Sequence, residues 1–102
     1  MKFTTNKDGN LELTFKSPIN IDNGFTNVPQ GTKTSTMELF IDEDGTPTAI
    51  EWDVNDGEFV ECIGVWCEDK DLVDYDGVFE LPEQAIKLIE HAGYNVSDDF
   101  KN

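Results

Sequence analysis

The 102-residue chain contains no arginine: all seven cations are lysine, set against 22 aspartates and glutamates for a net charge of −15. Direct nucleic-acid binding is excluded on that count, because it requires basic side chains that displace counterions from the phosphates. Histidine occurs once, as His91, and the serines, Ser17, Ser35 and Ser97, lie in polar stretches with no base close in sequence. Such a set offers no nucleophile paired with a base. Asp8-Gly9, Asp44-Gly45, Asp56-Gly57 and Asp76-Gly77 read as turn signatures rather than as parts of a glycine-rich phosphate loop. Neither an enzyme nor a cofactor is expected.

Cysteine is nearly as scarce. On one strand, Cys62 and Cys67 lie about 16 Å apart at ~3.3 Å per residue, too far to bond to each other. A second Cys or His pair for a metal site is missing, so both read as small thiols. No apolar run approaches the ~20 residues of a membrane span, and the opening MKFTTNKDGN has no stretch of signal-peptide length. A cytoplasmic location is expected.

What is present suffices for one folded domain over residues 1–102. Folding at this length buries roughly 65% of the unfolded chain's surface, and seven Phe, two Trp and two Tyr, with Ile, Leu and Val, supply a core. Asp8-Gly9 between alternating segments predicts a hairpin over 2–17, with Leu11, Leu13 and Phe15 inward. Residues 18–35, rich in Pro, Gly, Asn and Thr, read as an irregular loop anchored by Ile19, Ile21, Phe25 and Val28. An acidic β-meander follows over 36–67. In it Met37, Leu39, Ile41, Ile50, Trp52 and Val54 face inward, while Glu38, Phe40, Asp42, Glu51 and Asp53 face outward. The segment 58–67 is apolar on both faces and reads as a central strand covered on each side. An acidic loop over 68–77, a possible short strand at Val78-Phe79-Glu80, a helix over 82–92 and a loose tail over 97–102 complete the chain. Pro82 opens that helix at its first position, Gly93 closes it, and Ala85, Leu88, Ile89 and Ala92 make one apolar stripe. The expected class is α+β: an antiparallel sheet of four to five strands with one C-terminal helix packed on it.

The acid is unevenly placed. Residues 38–83 hold sixteen carboxylates and one cation, Lys70, and so carry a net −15, while 1–37 carry +1 and 84–102 carry −1. The densest stretch, 68–76, places Glu68, Asp69, Asp71, Asp74 and Asp76 within nine positions. Read from Leu72, it resembles a twelve-residue calcium loop, with Asp74, Asp76, Gly77 and Glu83 at the third, fifth, sixth and twelfth places. Leu72 stands where the first ligand belongs, Pro82 fills the eleventh place, and no helix leads in. No metal site is expected, and a calcium module is the remote alternative. Paired-carboxylate catalysis needs a sheltered pocket, whereas these acids fall at outward strand positions and in turns, where water holds them all ionised.

A charged face remains. Outward residues two apart on a strand are ~6.7 Å apart and neighbouring strands ~4.8 Å apart, so Glu38, Asp42, Glu51 and Asp53 make a lattice of anions spaced like the phosphates of a nucleic-acid strand. Glu43, Asp44, Asp56, Glu58 and the acids of 68–76 extend it around the rim. Solubility alone accounts for a net charge of magnitude ~2–8 in a small domain, and the value here is −15. In size and electrostatics the chain is similar to the DNA-mimic inhibitors that phages and mobile elements direct at restriction or CRISPR effectors, and to small acidic immunity proteins. That resemblance implies a non-enzymatic inhibitor that blocks the basic groove of a nucleic-acid-binding protein. The anions just named would make the contact, with Phe40, Trp52, Trp66 and Tyr75 as candidate apolar anchors. For Trp52 and Trp66 the plain reading is core, which leaves Phe40, beside Glu38 and Asp42 on the outward face, as the best anchor. The alternative is a generic acidic domain without mimicry.

Overall fold

The computed structural model describes residues 2–15, 35–54, 58–77 and 81–101. Six strands form one antiparallel sheet in chain order: β1 (Lys2–Thr5), β2 (Leu11–Phe15), β3 (Ser35–Ile41), β4 (Pro47–Val54), β5 (Glu58–Glu68) and β6 (Asp71–Asp76). Helix α1 (Glu83–His91) and a 3-10 turn (Asp98–Phe100) follow. The α+β arrangement agrees with expectation, but the sheet has six strands rather than four or five. The difference lies in residues 68–77, expected as a loop. They instead finish β5, reverse at Asp69 and Lys70, and form β6. Both turn residues have positive φ, 52° and 69°, as a two-residue hairpin turn requires.

Two other hairpin turns share one design. Asn6 Oδ1 accepts hydrogen bonds from the backbone N–H groups of Asp8 and Asn10, each at 3.0 Å. Asp42 Oδ1 accepts from Asp44 and Thr46 in the same way, each at 2.9 Å. The backbone closes both turns with equivalent bonds, Gly9 N–H to Asn6 O and Gly45 N–H to Asp42 O, each at 3.0 Å. A side-chain oxygen two residues ahead of the turn organises each loop. Because alternate turns of a meander lie at the same end, the 6–10, 42–46 and 69–70 turns line one rim of the sheet.

One face is packed. Leu13, Phe15, Met37, Leu39, Ile50, Trp52, Ile63, Val65 and Leu72 bury against Ala85, Ile86, Leu88 and Ile89 of α1, together with Leu81, Tyr94 and Val96. The helix lies over β2 and β3, and His91 at its end stacks on Phe3 of β1 with ring centroids 4.2 Å apart. Pro82 is the N-cap (φ −65°, ψ 152°) rather than the first helical residue. Gly93 N–H bonds to Glu90 O and Tyr94 N–H to Ile89 O, the paired closure that a left-handed residue after the last turn permits. Residues 97–101, in the segment expected as a loose tail, make contacts of their own. The Ser97 hydroxyl caps the 3-10 turn, Lys101 pairs with Glu90 at 3.2 Å, and the Phe100 ring meets Tyr75 edge-on.

Among the described residues no element covers the other face, the open face of the sheet. The expectation that β5 is central and covered on both sides is corrected: β5 stands fifth of six, and on its uncovered side Phe59 is 57% and Trp66 53% exposed. Three bulges interrupt the ladders, between Phe40 and Ile41, between Trp52 and Asp53, and between Trp66 and Cys67. The second carries Phe59 out of phase with Ile63 and Val65, opposite outward Asp53 instead of into the core. The expected 18–35 loop with its anchors, the Asn55-Asp56-Gly57 turn and the Val78-Phe79-Glu80 strand lie outside the described residues, Ser35 apart, which opens β3.

Candidate functional site: an acidic open sheet face

Paired residues on neighbouring strands point to the same side, so the register defines the open face row by row. One row runs Thr4, Glu12, Glu38, Glu51, Cys62 across β1 to β5. It sets three glutamates directly opposite one another on adjacent strands. A second row, Lys2, Thr14, Thr36, Asp53, Phe59, lies on one side of it. On the other lies Phe40, Ala49, Gly64, Asp76, followed by Trp66 with Asp74 and by Glu68 with Asp71 at the rim. Eight carboxylates therefore share this face: Glu12, Glu38, Glu51, Asp53, Glu68, Asp71, Asp74 and Asp76.

Like charges opposite one another destabilise a sheet, and the protein manages the row with amides rather than ammonium groups. Asn6 Nδ2 donates to Glu12 Oε2 at 3.0 Å and to Glu38 Oε2 at 2.7 Å, and Asn10 Nδ2 also donates to Glu38 Oε2 at 3.0 Å. Asn10 is itself buried, its Oδ1 accepting from the Ile41 N–H at the bulge. At the far end of the row Glu51 has a raised pKa. Its hydrogen bond with Asp53 is the main cause, followed by partial burial and by repulsion from Asp53 and Glu38. Cys62, beside Glu51, has its thiol pKa raised first by desolvation and then by Glu51 and Glu61; an anion is disfavoured there, so the thiol is a poor nucleophile. Burial likewise raises the Cys67 pKa.

The cations sit elsewhere. Among the described residues, Lys87 pairs with Glu83, Lys101 pairs with Glu90 and Asp98, and the Lys70 ammonium lies 4.7 Å from the Tyr94 ring centroid. All of these belong to the helix side. Lys2, at the far corner, is the lysine that the register places on the open face among those residues.

Most expected contact residues fall together. Glu38, Phe40, Glu51 and Asp53 lie half-buried on the open face, and Asp74 and Asp76 lie exposed on it. Glu43 and Asp44 are exposed in the 42–46 turn, with Glu68, Asp69 and Asp71 at the 69–70 turn on the same rim. Two of these acids have local duties: Asp42 organises its turn, and Asp71 Oδ1 accepts from Asn95 Nδ2 at 3.0 Å. Asp56 and the side chain of Glu58 lie outside the described residues. Trp52 is 1% exposed in the core, as its inward phase predicts, and is no anchor. Tyr75 is corrected as an anchor: it faces the helix side, where its hydroxyl accepts from Leu81 N–H at 3.2 Å. Trp66, expected as core first and as an anchor second, is 53% exposed on the open face.

Residues not singled out from sequence are Glu12, Phe59 and Glu61. Glu12 alternates with Leu11 and Leu13, a legible signal, but joining its row to Glu38 requires β2 to pair with β3 across a long connection. Glu61 is 4% exposed and stands opposite Trp52, which corrects the expectation that every acid lies in water. Residues 71–76 are strand rather than a calcium loop, with Leu72 buried. Among the described residues no helix is long and apolar enough to cross a membrane. No protein-family profile, curated protein sequence or solved structure matches this chain.

Proposed function

We propose that the protein is a non-enzymatic binding protein. Its open sheet face docks on the basic groove of a nucleic-acid-binding protein and inhibits it, with the carboxylate rows standing where phosphates would. One observation carries this reading. The charge is polarised through the thickness of the molecule, with eight carboxylates on the uncovered face and the ion-paired lysines on the helix side. Exposed Trp66 and Phe59 lie among those carboxylates and offer apolar area for the centre of an interface. Such a field speeds association with a cationic surface and makes binding fall steeply with salt.

A second reading, a generic acidic domain, draws on β6. Asp71, Asp74 and Asp76 together with a bulge on the sheet's edge strand are devices that deter edge-to-edge aggregation. Affinity capture at low and high salt, with and without duplex DNA, separates the two. The expected result is basic proteins that DNA displaces and that the Glu51→Lys/Asp53→Lys/Asp74→Lys/Asp76→Lys variant fails to retain. Equal retention by that variant, folded by circular dichroism, defeats the proposal.

A further inference from the structure

The open face contains a built seat as well as a field. Trp66 is 53% exposed, yet its ring is not adrift. A side chain at Gly64 would place its Cβ 3.6 Å from the indole Cη2, 3.8 Å from Cζ3 and 3.9 Å from the Cβ of Asp76. The six-membered ring therefore lies over Gly64 beside Asp76, at ordinary van der Waals distance from where a Cβ would stand, and a side chain longer than alanine there would compete for its place. Across the ladder from Trp66 stands Asp74, whose Oδ1 accepts from the Tyr75 N–H at 2.8 Å and so is held in place. Phe40 and Ala49 continue the same row past Gly64.

We propose that Trp66, resting on Gly64 between Asp74 and Asp76, receives an arginine side chain from the basic partner; this rests on the reading given above. An aromatic face attracts a cation, and flanking carboxylates add charge. Arginine fits better than lysine because its planar guanidinium stacks on the indole while its N–H fork pairs with a carboxylate at the edge, whereas a compact ammonium does one or the other. The chain has no arginine to offer, and a second copy would bring net charge −15 against the same face. Among the described lysines, Lys70 is engaged at Tyr94, and Lys87 and Lys101 pair with Glu83 and Glu90 on the opposite side.

The test uses the full chain and two fluorescein-labelled peptides of equal charge, deca-arginine and deca-lysine, titrated by anisotropy. Wild type should bind deca-arginine about tenfold more tightly than deca-lysine, and Trp66→Ala should reduce that ratio to within about twofold while leaving deca-lysine affinity nearly unchanged. Trp66→Phe should recover part of the preference. Gly64→Leu, which pushes the indole off the sheet without removing it, should lose it. Glu51→Gln/Asp53→Asn should weaken both peptides together and keep the ratio. A ratio untouched by Trp66→Ala and Gly64→Leu overturns the arginine seat while the charged-face reading stands. Failure of wild type to bind either peptide overturns both.

Discussion

At the scale of single residues, the acids divide by what their oxygens already do. Asp42 holds two backbone N–H groups in the 42–46 turn, and Asn6 performs the same service in the 6–10 turn. Charge is therefore dispensable at position 42, but the acceptor is not. Asp42→Asn should leave stability unchanged, and Asp42→Ala should lower it by about 1 kcal/mol in urea unfolding; equal loss in both variants contradicts this assignment. Glu51 differs because its neighbours are anions. With its pKa raised above the ordinary 4.5 by the Asp53 hydrogen bond, burial and repulsion, the folded state holds that proton more tightly than the unfolded chain. Its contribution is full below the ordinary value and is lost as pH rises through the raised one. Melting temperature should therefore rise as pH falls from neutral toward about 4.5, and Glu51→Gln should flatten that rise. Alternation revealed the outward glutamates because it is a strictly local signal. Glu61 shares the inward phase of Ile63 and Val65 by plain alternation, but its charge reads as outward; its place is beside Gly77, where a Cβ would lie 2.8 Å from Glu61 Oε1.

At the scale of elements, the helix was the most legible part. Its apolar stripe, Pro82 and Gly93 bracket it to within a residue, because caps and period are written in neighbouring positions. Gly93 has φ +96° and closes the helix with two backbone bonds. Gly93→Ala should accordingly cost about 1 kcal/mol in thermal or urea unfolding, without altering peptide binding. The strands were legible where period two holds, and illegible where a bulge resets it. Val73 is the extra residue opposite the Trp66–Cys67 step. It separates the inward phase of Leu72 from the outward phase of Asp74, so an acidic run that looks aperiodic is an edge strand. The pairing of β2 with β3 was hidden for another reason: a long connection separates the two strands in sequence, and register over such a distance is set by packing rather than by local pattern.

At the scale of the whole molecule, the meander turns an uneven sequence into a polar object. Consecutive strands sit side by side, so a charge excess confined to the middle of the chain becomes a contiguous patch. Among the described residues the one α-helix lies over the opposite face and carries Lys87, with Lys101 paired to its Glu90. Of those residues the register places one cation on the open face, Lys2 at its corner, while Lys7 lies exposed in the 6–10 turn at the rim. Two carboxylates ~5 Å apart repel by about 0.8 kcal/mol in bulk water, more where solvent is partly excluded and less in salt. Removing charge from the two faces should consequently have opposite effects. Glu38→Gln/Glu51→Gln keeps side-chain length and an oxygen that can accept from Asn6 and Asn10, and relieves the row; it should raise the melting temperature at low salt, with the gain shrinking as salt is added. Glu83→Gln/Glu90→Gln removes the partners of Lys87 and Lys101 and should leave stability unchanged or slightly lower. If both pairs of substitutions stabilise equally, the charge excess acts as a uniform shell and the polarity of the molecule loses its significance for docking. If only the sheet-face pair stabilises, and the same pair weakens capture of a basic partner, the strain and the binding surface are one feature.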